Sequence, residues 1–189
     1  AHIDAADAFD ESSGQILQSA ERRLNERASG TFAKMPDETF EDKKSIQMGT
    51  MTIEVLYLGP AHSPGDTQVW LPDEKLMIAG DLAFHERIPP IFPETLTDEW
   101  IETWVNEFEP LGAVYVIPGH GHPTNMAQVR KYTHDYLVYL RGKIRDHIDA
   151  GGGLEGAFHV DQSPYAKQHT FKELATRNAG RVFEQMEFE

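Results

Sequence analysis

Cysteine is absent from all 189 residues, which excludes disulfides, thiolate metal ligation and a thiol nucleophile and leaves His, Asp and Glu as the strong metal donors. Basic residues are scarce. Against 31 Asp and Glu stand 17 Lys and Arg, for a formal net charge of -14, and so negative a field works against phosphate-backbone binding. Nucleic acid is not an expected partner. No apolar run approaches the roughly 20 residues that a membrane helix requires, and residues 1–15 lack the basic start and apolar core of a signal peptide. The expectation is a soluble chain without a membrane partner, cytoplasmic before periplasmic. What remains, 40% hydrophobic and 25% charged residues, is ordinary for one globular domain.

Hydrophobic periodicity orders that domain. Residues 15–28, QILQSAERRLNERA, read as a strand end followed by an amphipathic helix. KKSIQM (43–48) and MTIEVLYLG (51–59) flank Gly49-Thr50 as a β-hairpin, and TQVWLP (67–72) and KLMIAG (75–80) repeat the pattern around Asp73-Glu74. A helix over 97–108 places Trp100, Ile101, Trp104, Val105 and Phe108 on one face behind a Thr97 cap, and AVYVIP (113–118) follows as a buried strand. A long helix runs from Asn125 to Ala150, ended by the glycines 151–153, and a last one spans 170–185. Strands followed by helices argue for a layered α/β domain.

Three short polar motifs stand at the ends of apolar strands, where a sheet delivers side chains into a cleft: AHSPGDT (61–67), AGDLAF (79–84) and PGHGHP (118–123). Each alone is a common turn. Together they supply imidazole, carboxylate and imidazole from three separated strand ends, a donor set suited to zinc.

On these residues the sequence resembles the metallo-β-lactamase superfamily. AHSPGDTQVWLP is similar to the segment in which a His before a Pro-Gly turn ligates the first metal, which implies His62 as a ligand. KLMIAGDLAF is similar to the Gly-Asp motif whose carboxylate bridges both metals, which implies Asp81 as a ligand and as the residue central to catalysis. VIPGHGHPT resembles the closing Pro-Gly-His-Gly element, which implies His120 as a ligand of the second metal. The family's His-x-His-x-Asp-His string does not occur in the 189 residues. One alignment makes His2 its final His and another reads His2-Ile3-Asp4 as its His-x-Asp portion; the first is preferred.

The resemblance implies an αββα sandwich, N-terminally incomplete, with extra C-terminal helices. The whole of 1–189 is read as one domain, with sandwich and metal motifs in 1–123 and helices in 124–189. With the first strands missing, an edge and part of one sheet face are expected to be exposed, whether because the chain is a fragment, because the gene is truncated, or because a partner or a strand-swapped homodimer supplies them. The implied activity is that of a hydrolase using metal-bound hydroxide on an ester, thioester, lactone or amide of a small-molecule substrate, with up to two zinc ions and with iron or manganese as alternatives. Asp81, where β-lactamases of the main class B subclass carry Cys, favours a glyoxalase II-like or general hydrolase. Two other readings stand beside it: a non-catalytic module of the same fold, and a mononuclear iron enzyme like the persulfide dioxygenases.

The remaining candidates are weighed by context. His85 and Arg87, directly after Asp81, are read as substrate-orienting residues or substitutes for a lost ligand. His122 is a solvated loop residue, Asp66 a turn acceptor, and Trp100 and Trp104 helix core. His134, His147, His159 and His169 lack partners at metal-binding spacing and are read as surface or packing residues.

Overall fold

The computed structural model describes residues 1–189, the side chains of Asp4 and Ala8 excepted, so the alternative ligand Asp4 lies outside the described residues as a side chain. The chain opens on helix α1 (Ile3–Leu24), which takes in the expected strand end at the apolar pair Ile16-Leu17. Residues 3–24 include four alanines among polar residues, and such a composition favours a continuous helix over a strand. A 3-10 turn (Asn25–Ala28) follows.

Strands β1 (Lys43–Met48), β2 (Met51–Tyr57), β3 (Thr67–Leu71) and β4 (Leu76–Phe84) form an antiparallel meander, and β5 (Tyr115–His120) adds to β4 in parallel, giving the order β1-β2-β3-β4-β5. The first hairpin pairs Met48 with Met51 across Gly49-Thr50, with Gly49 at a positive φ of 63°, as the sequence predicts. A two-residue loop of this kind needs a left-handed residue, and glycine adopts it without a Cβ penalty.

The crossover from β4 to β5 contains α2 (Thr97–Thr103), a π turn (Trp104–Phe108) and a 3-10 turn (Glu109–Leu111) in place of one regular helix. Thr97 does not cap it. The N-cap is Leu96, while the Thr97 hydroxyl donates to Gln185 Oε1 at 2.6 Å. The expected long helix is likewise divided into α3 (Met126–Tyr132) and α4 (His134–Asp149). Between them Thr133 turns its hydroxyl onto β4, accepting from Phe84 N at 2.8 Å and donating to Phe84 O at 3.1 Å. A tertiary contact thus overrides the local helical pattern. Short α5 (Leu154–Ala157) and final α6 (Phe171–Met186) complete the chain.

Strands and C-terminal helices share one core, in which Met77, Leu82, Phe84, Trp100, Trp104, Val116, Leu140 and Val182 are fully buried. Asn178 on α6 pins the β4–α2 connection to this core: its Oδ1 accepts from Ile91 N at 3.0 Å, and its Nδ2 donates to Pro89 O at 2.8 Å and to the Tyr136 hydroxyl at 3.0 Å.

The register settles where the three polar motifs lie. Tyr57 pairs with Thr67, and β3 runs back along β4 so that Val69 faces Ile78. The β2–β3 loop carrying His62 therefore emerges at the same end of the sheet as Asp81 and as His120, the last residue of β5.

Candidate metal centre

At that end of the sheet Asp81 and His120 come together. Asp81 Oδ1 lies 3.6 Å from His120 Nε2, and both side chains are partly open to solvent. The separation is too long for a hydrogen bond. It is close to the roughly 3.4 Å between two donors about 2.1 Å from a common tetrahedral ion. The approach requires the glycine of the Pro118-Gly119 pair, since a Cβ on Gly119 would lie 2.1 Å from Asp81 Oδ1 and 2.7 Å from the Gly80 carbonyl oxygen.

His62 sits deeper. Its ring packs against Phe84, Phe92 and Trp100 with centroids 5.7, 5.1 and 5.7 Å away. Burial holds its pKa below the ordinary 6.5, against the opposing pull of Asp81 and Asp66, so at neutral pH it is an uncharged imidazole. Its Nδ1 is buried with no hydrogen-bond partner among the described residues. The loop that carries it is held from below. The Thr95 hydroxyl donates to His62 O at 2.7 Å, Gln185 Nε2 donates to Thr95 O at 2.6 Å, and the Thr103 hydroxyl donates to Pro60 O at 2.7 Å. Asp66 closes the loop's own turn, accepting from Ser63 N at 2.9 Å and Ser63 Oγ at 2.5 Å, as expected of a turn acceptor.

His2 is buried and stacks on Tyr57 at 3.6 Å between centroids, while the Tyr57 hydroxyl donates to Pro64 O at 2.9 Å. The start of α1 is packed onto the Pro64-Gly65 turn so closely that a Cβ on Gly65 would meet Ala5 N at 2.5 Å. His2 therefore borders the His62 loop. Among the described residues, however, no three of His, Asp and Glu lie close enough together to hold a metal ion. The donors fit one edge of a metal centre, Asp81 with His120, and do not close it.

His85 and Arg87 flank this edge. His85 Nδ1 donates to His122 O at 2.9 Å and its ring stands edge-on to Tyr132. Arg87 reaches towards His120 Nδ1, 3.5 Å from its Nη1, with the guanidinium over the Phe84 ring and a buried Nε that has no partner among the described residues. His120 itself stacks on Phe84 at 5.3 Å. His122 is exposed but engaged, its Nδ1 donating to Glu86 Oε2 at 2.5 Å. His134, a packing residue as read from sequence, is buried against Trp104. The supporting groups Thr95, Thr103, Thr133 and Gln185 are not recognisable from sequence, because each acts on backbone more than thirty residues away.

Residues 4–130 match the family model described as the metallo-beta-lactamase superfamily. The chain belongs to the metallo-β-lactamase superfamily. Among the superfamily's characterised proteins, the type 2 metallo-β-lactamase of Bacteroides fragilis is 26% identical over 92 residues, covering 46% of this chain and 36% of that protein. Among solved structures, the stereoselective inverting sec-alkylsulfatase Pisa1 from Pseudomonas sp. aligns with a TM-score of 0.62 at 18% identity, over 82% of this chain and 27% of that one. The DIM-1 metallo-β-lactamase aligns with a TM-score of 0.49 at 23% identity, over 64% of this chain and 55% of that one. The sulfatase likeness concerns the fold, and the chain spans only about a third of the Bacteroides relative's length. The superfamily match runs through all three polar motifs.

Proposed function

We propose that this chain contributes the Asp81, His120 and His62 donors of a zinc-dependent hydrolase site acting on an ester, thioester, lactone or amide. The carrying observation is the 3.6 Å approach of Asp81 to His120. It is supported by the buried, uncharged His62 at the same sheet end, whose lone pair is free of a proton at neutral pH. A divalent ion there would acidify a water and polarise the scissile carbonyl. The donors that close the site come from beyond this triad, and His2, which borders the His62 loop, is the candidate assigned from this chain. Arg87, which reaches towards His120, and His85, which bonds the turn after it, are assigned to substrate. Zinc is preferred for a cysteine-free His and Asp set, and iron(II) or manganese suits a two-His, one-carboxylate set as well.

A second reading, a non-catalytic module of this fold, is favoured by one observation: no third donor joins the pair among the described residues. Metal analysis of the purified chain after zinc addition and desalting separates the two. The hydrolase reading expects bound zinc that Asp81→Asn removes. Fewer than about 0.2 equivalents in the unsubstituted chain, or equal retention by Asp81→Asn, would sink it.

A further inference from the structure

Beyond the carboxyl ends of the parallel strands β4 and β5, a cleft of about 500 Å3 opens between the Glu86 turn, the end of α3 and the segment 164–169. This is the end of a parallel pair where open α/β sheets bind ligands. Lys131, Lys167, His122 and His169 line the cleft, and Glu86 is the one carboxylate among its lining residues. Glu86 is already engaged by His122, whose hydrogen bond holds the carboxyl below its usual range. Lys131 places its ammonium over the Tyr132 ring, 5.4 Å from the centroid, instead of on a carboxylate. Neither Lys131 nor Lys167 has an ion pair among the described residues, although acids outnumber bases 31 to 17 in the chain. Two lysines without an ion pair, against one carboxylate, give the lining of this cleft an excess of positive charge in a negative molecule.

The cleft is joined to the metal-donor edge by the turn 119–122. His122, which lines the cleft, stands two residues past His120, and its carbonyl accepts from His85. Gly121 packs onto His85 so tightly that a Cβ would lie 2.2 Å from the His85 carbonyl oxygen. One turn therefore has the Asp81–His120 pair on one side and the lysines on the other.

We infer that this cleft binds an oxyanion, a carboxylate, sulfate or phosphate, carried by the substrate away from the bond that is cleaved, with Lys131 and Lys167 as its charge partners. The assignment to substrate rests on the hydrolase reading above; the anion site itself does not. It selects anionic substrates over neutral ones of the same size.

The test has two arms on the full chain. In the first, inorganic sulfate and phosphate are titrated at low ionic strength and followed by NMR, using the unsubstituted chain, the double variant Lys131→Ala/Lys167→Ala, and Lys75→Ala at the opposite end of β4. Saturable binding, weakened about tenfold in the double variant and unchanged in Lys75→Ala, is expected, with strong attenuation by salt. No saturable binding, or equal weakening by Lys75→Ala, overturns the site. In the second arm the zinc-loaded chain is given an aryl acetate with and without a ring carboxylate. A lower KM for the charged ester, lost in the double variant while the neutral ester is unaffected, is expected. Equal KM values with anion binding intact would leave a site for free anions and overturn the substrate assignment. Turnover of neither ester counts against the hydrolase reading alone, and the first arm still decides the anion site.

Discussion

Both faces of the sheet carry apolar rows, and they are unequally covered. The row Trp70, Met77 and Val116 lies beneath the helices, with Met77 and Val116 fully buried. One residue along, the row Val55, Val69, Ile78 and Ile117 points the other way, and Ile78 is 40% exposed between two neighbours, Met77 and Ala79, at 0%. A sheet meant to face water on one side alternates apolar with polar residues. Leu76-Met77-Ile78-Ala79 does not alternate and reads as a strand packed on both faces. Sequence pattern records the packing a strand is suited for, whereas burial records the packing it has. The metal-donor edge stands at one end of this boundary, with His62 rooted on the covered side.

That asymmetry can be broken by substitution. The largest effect is expected from Trp100→Ala, which empties a fully buried site under the helices and removes the indole donor to Leu82 O; urea unfolding should show a loss of about 3–5 kcal/mol. Asn178→Ala strips Ile91 N and Pro89 O of their partner, while the Tyr136 hydroxyl keeps its bond to Gln162 Oε1, and is expected to cost about 2–4 kcal/mol in the same measurement. A loss as small as that of an ordinary surface substitution would mean that the β4–α2 connection does not depend on α6. Gly119→Ala drives a methyl into Asp81 Oδ1 and should cost about 1–3 kcal/mol while abolishing whatever zinc the chain retains, read by unfolding and by metal content.

A smaller effect follows from pH. Because burial depresses the His62 pKa below 6.5, the unfolded chain binds the proton more readily than the folded one. His62 thus contributes stability that is complete above pH 6.5 and is lost as pH falls through the depressed value. Stability measured at pH 5.5 and 7.5 should rise with pH, and His62→Gln should flatten that rise; an unchanged slope would assign it to other groups. The smallest effect belongs to the open face. Ile78→Lys should change stability by no more than about 0.5 kcal/mol, the lysine stem lying along the sheet with its ammonium in water. A cost like that of Trp100→Ala would show that this face is covered in solution.

Much of this was legible from sequence, for reasons that differ by element. The hairpin at Gly49-Thr50 and the strands around 67–80 follow from local alternation and turn chemistry, which need no distant partner. The shared end of the sheet follows because each motif adjoins an apolar strand, although β4 runs on through Asp81 to Phe84 where the sequence suggests a strand ending at Gly80. Thr97 and Thr133 escaped, since a threonine inside a helical pattern looks like a cap or a neutral surface residue until its long-range partner, Gln185 or Phe84, is known. The lysine cleft escaped for the same reason. Lys131 and Lys167 are separated by α4 and α5, and only the fold gives them a common cleft with Glu86 and His122.

The link from Gln185 through Thr95 to the His62 carbonyl has a consequence for the chain's last turns. Thermodynamic coupling is reciprocal: whatever free energy α6 lends to the placement of His62, a cation that fixes His62 returns to α6. Were a cation to bind there, the C-terminal helix would report it at a distance, its amides exchanging more slowly with solvent deuterium, and Gln185→Ala would weaken the binding.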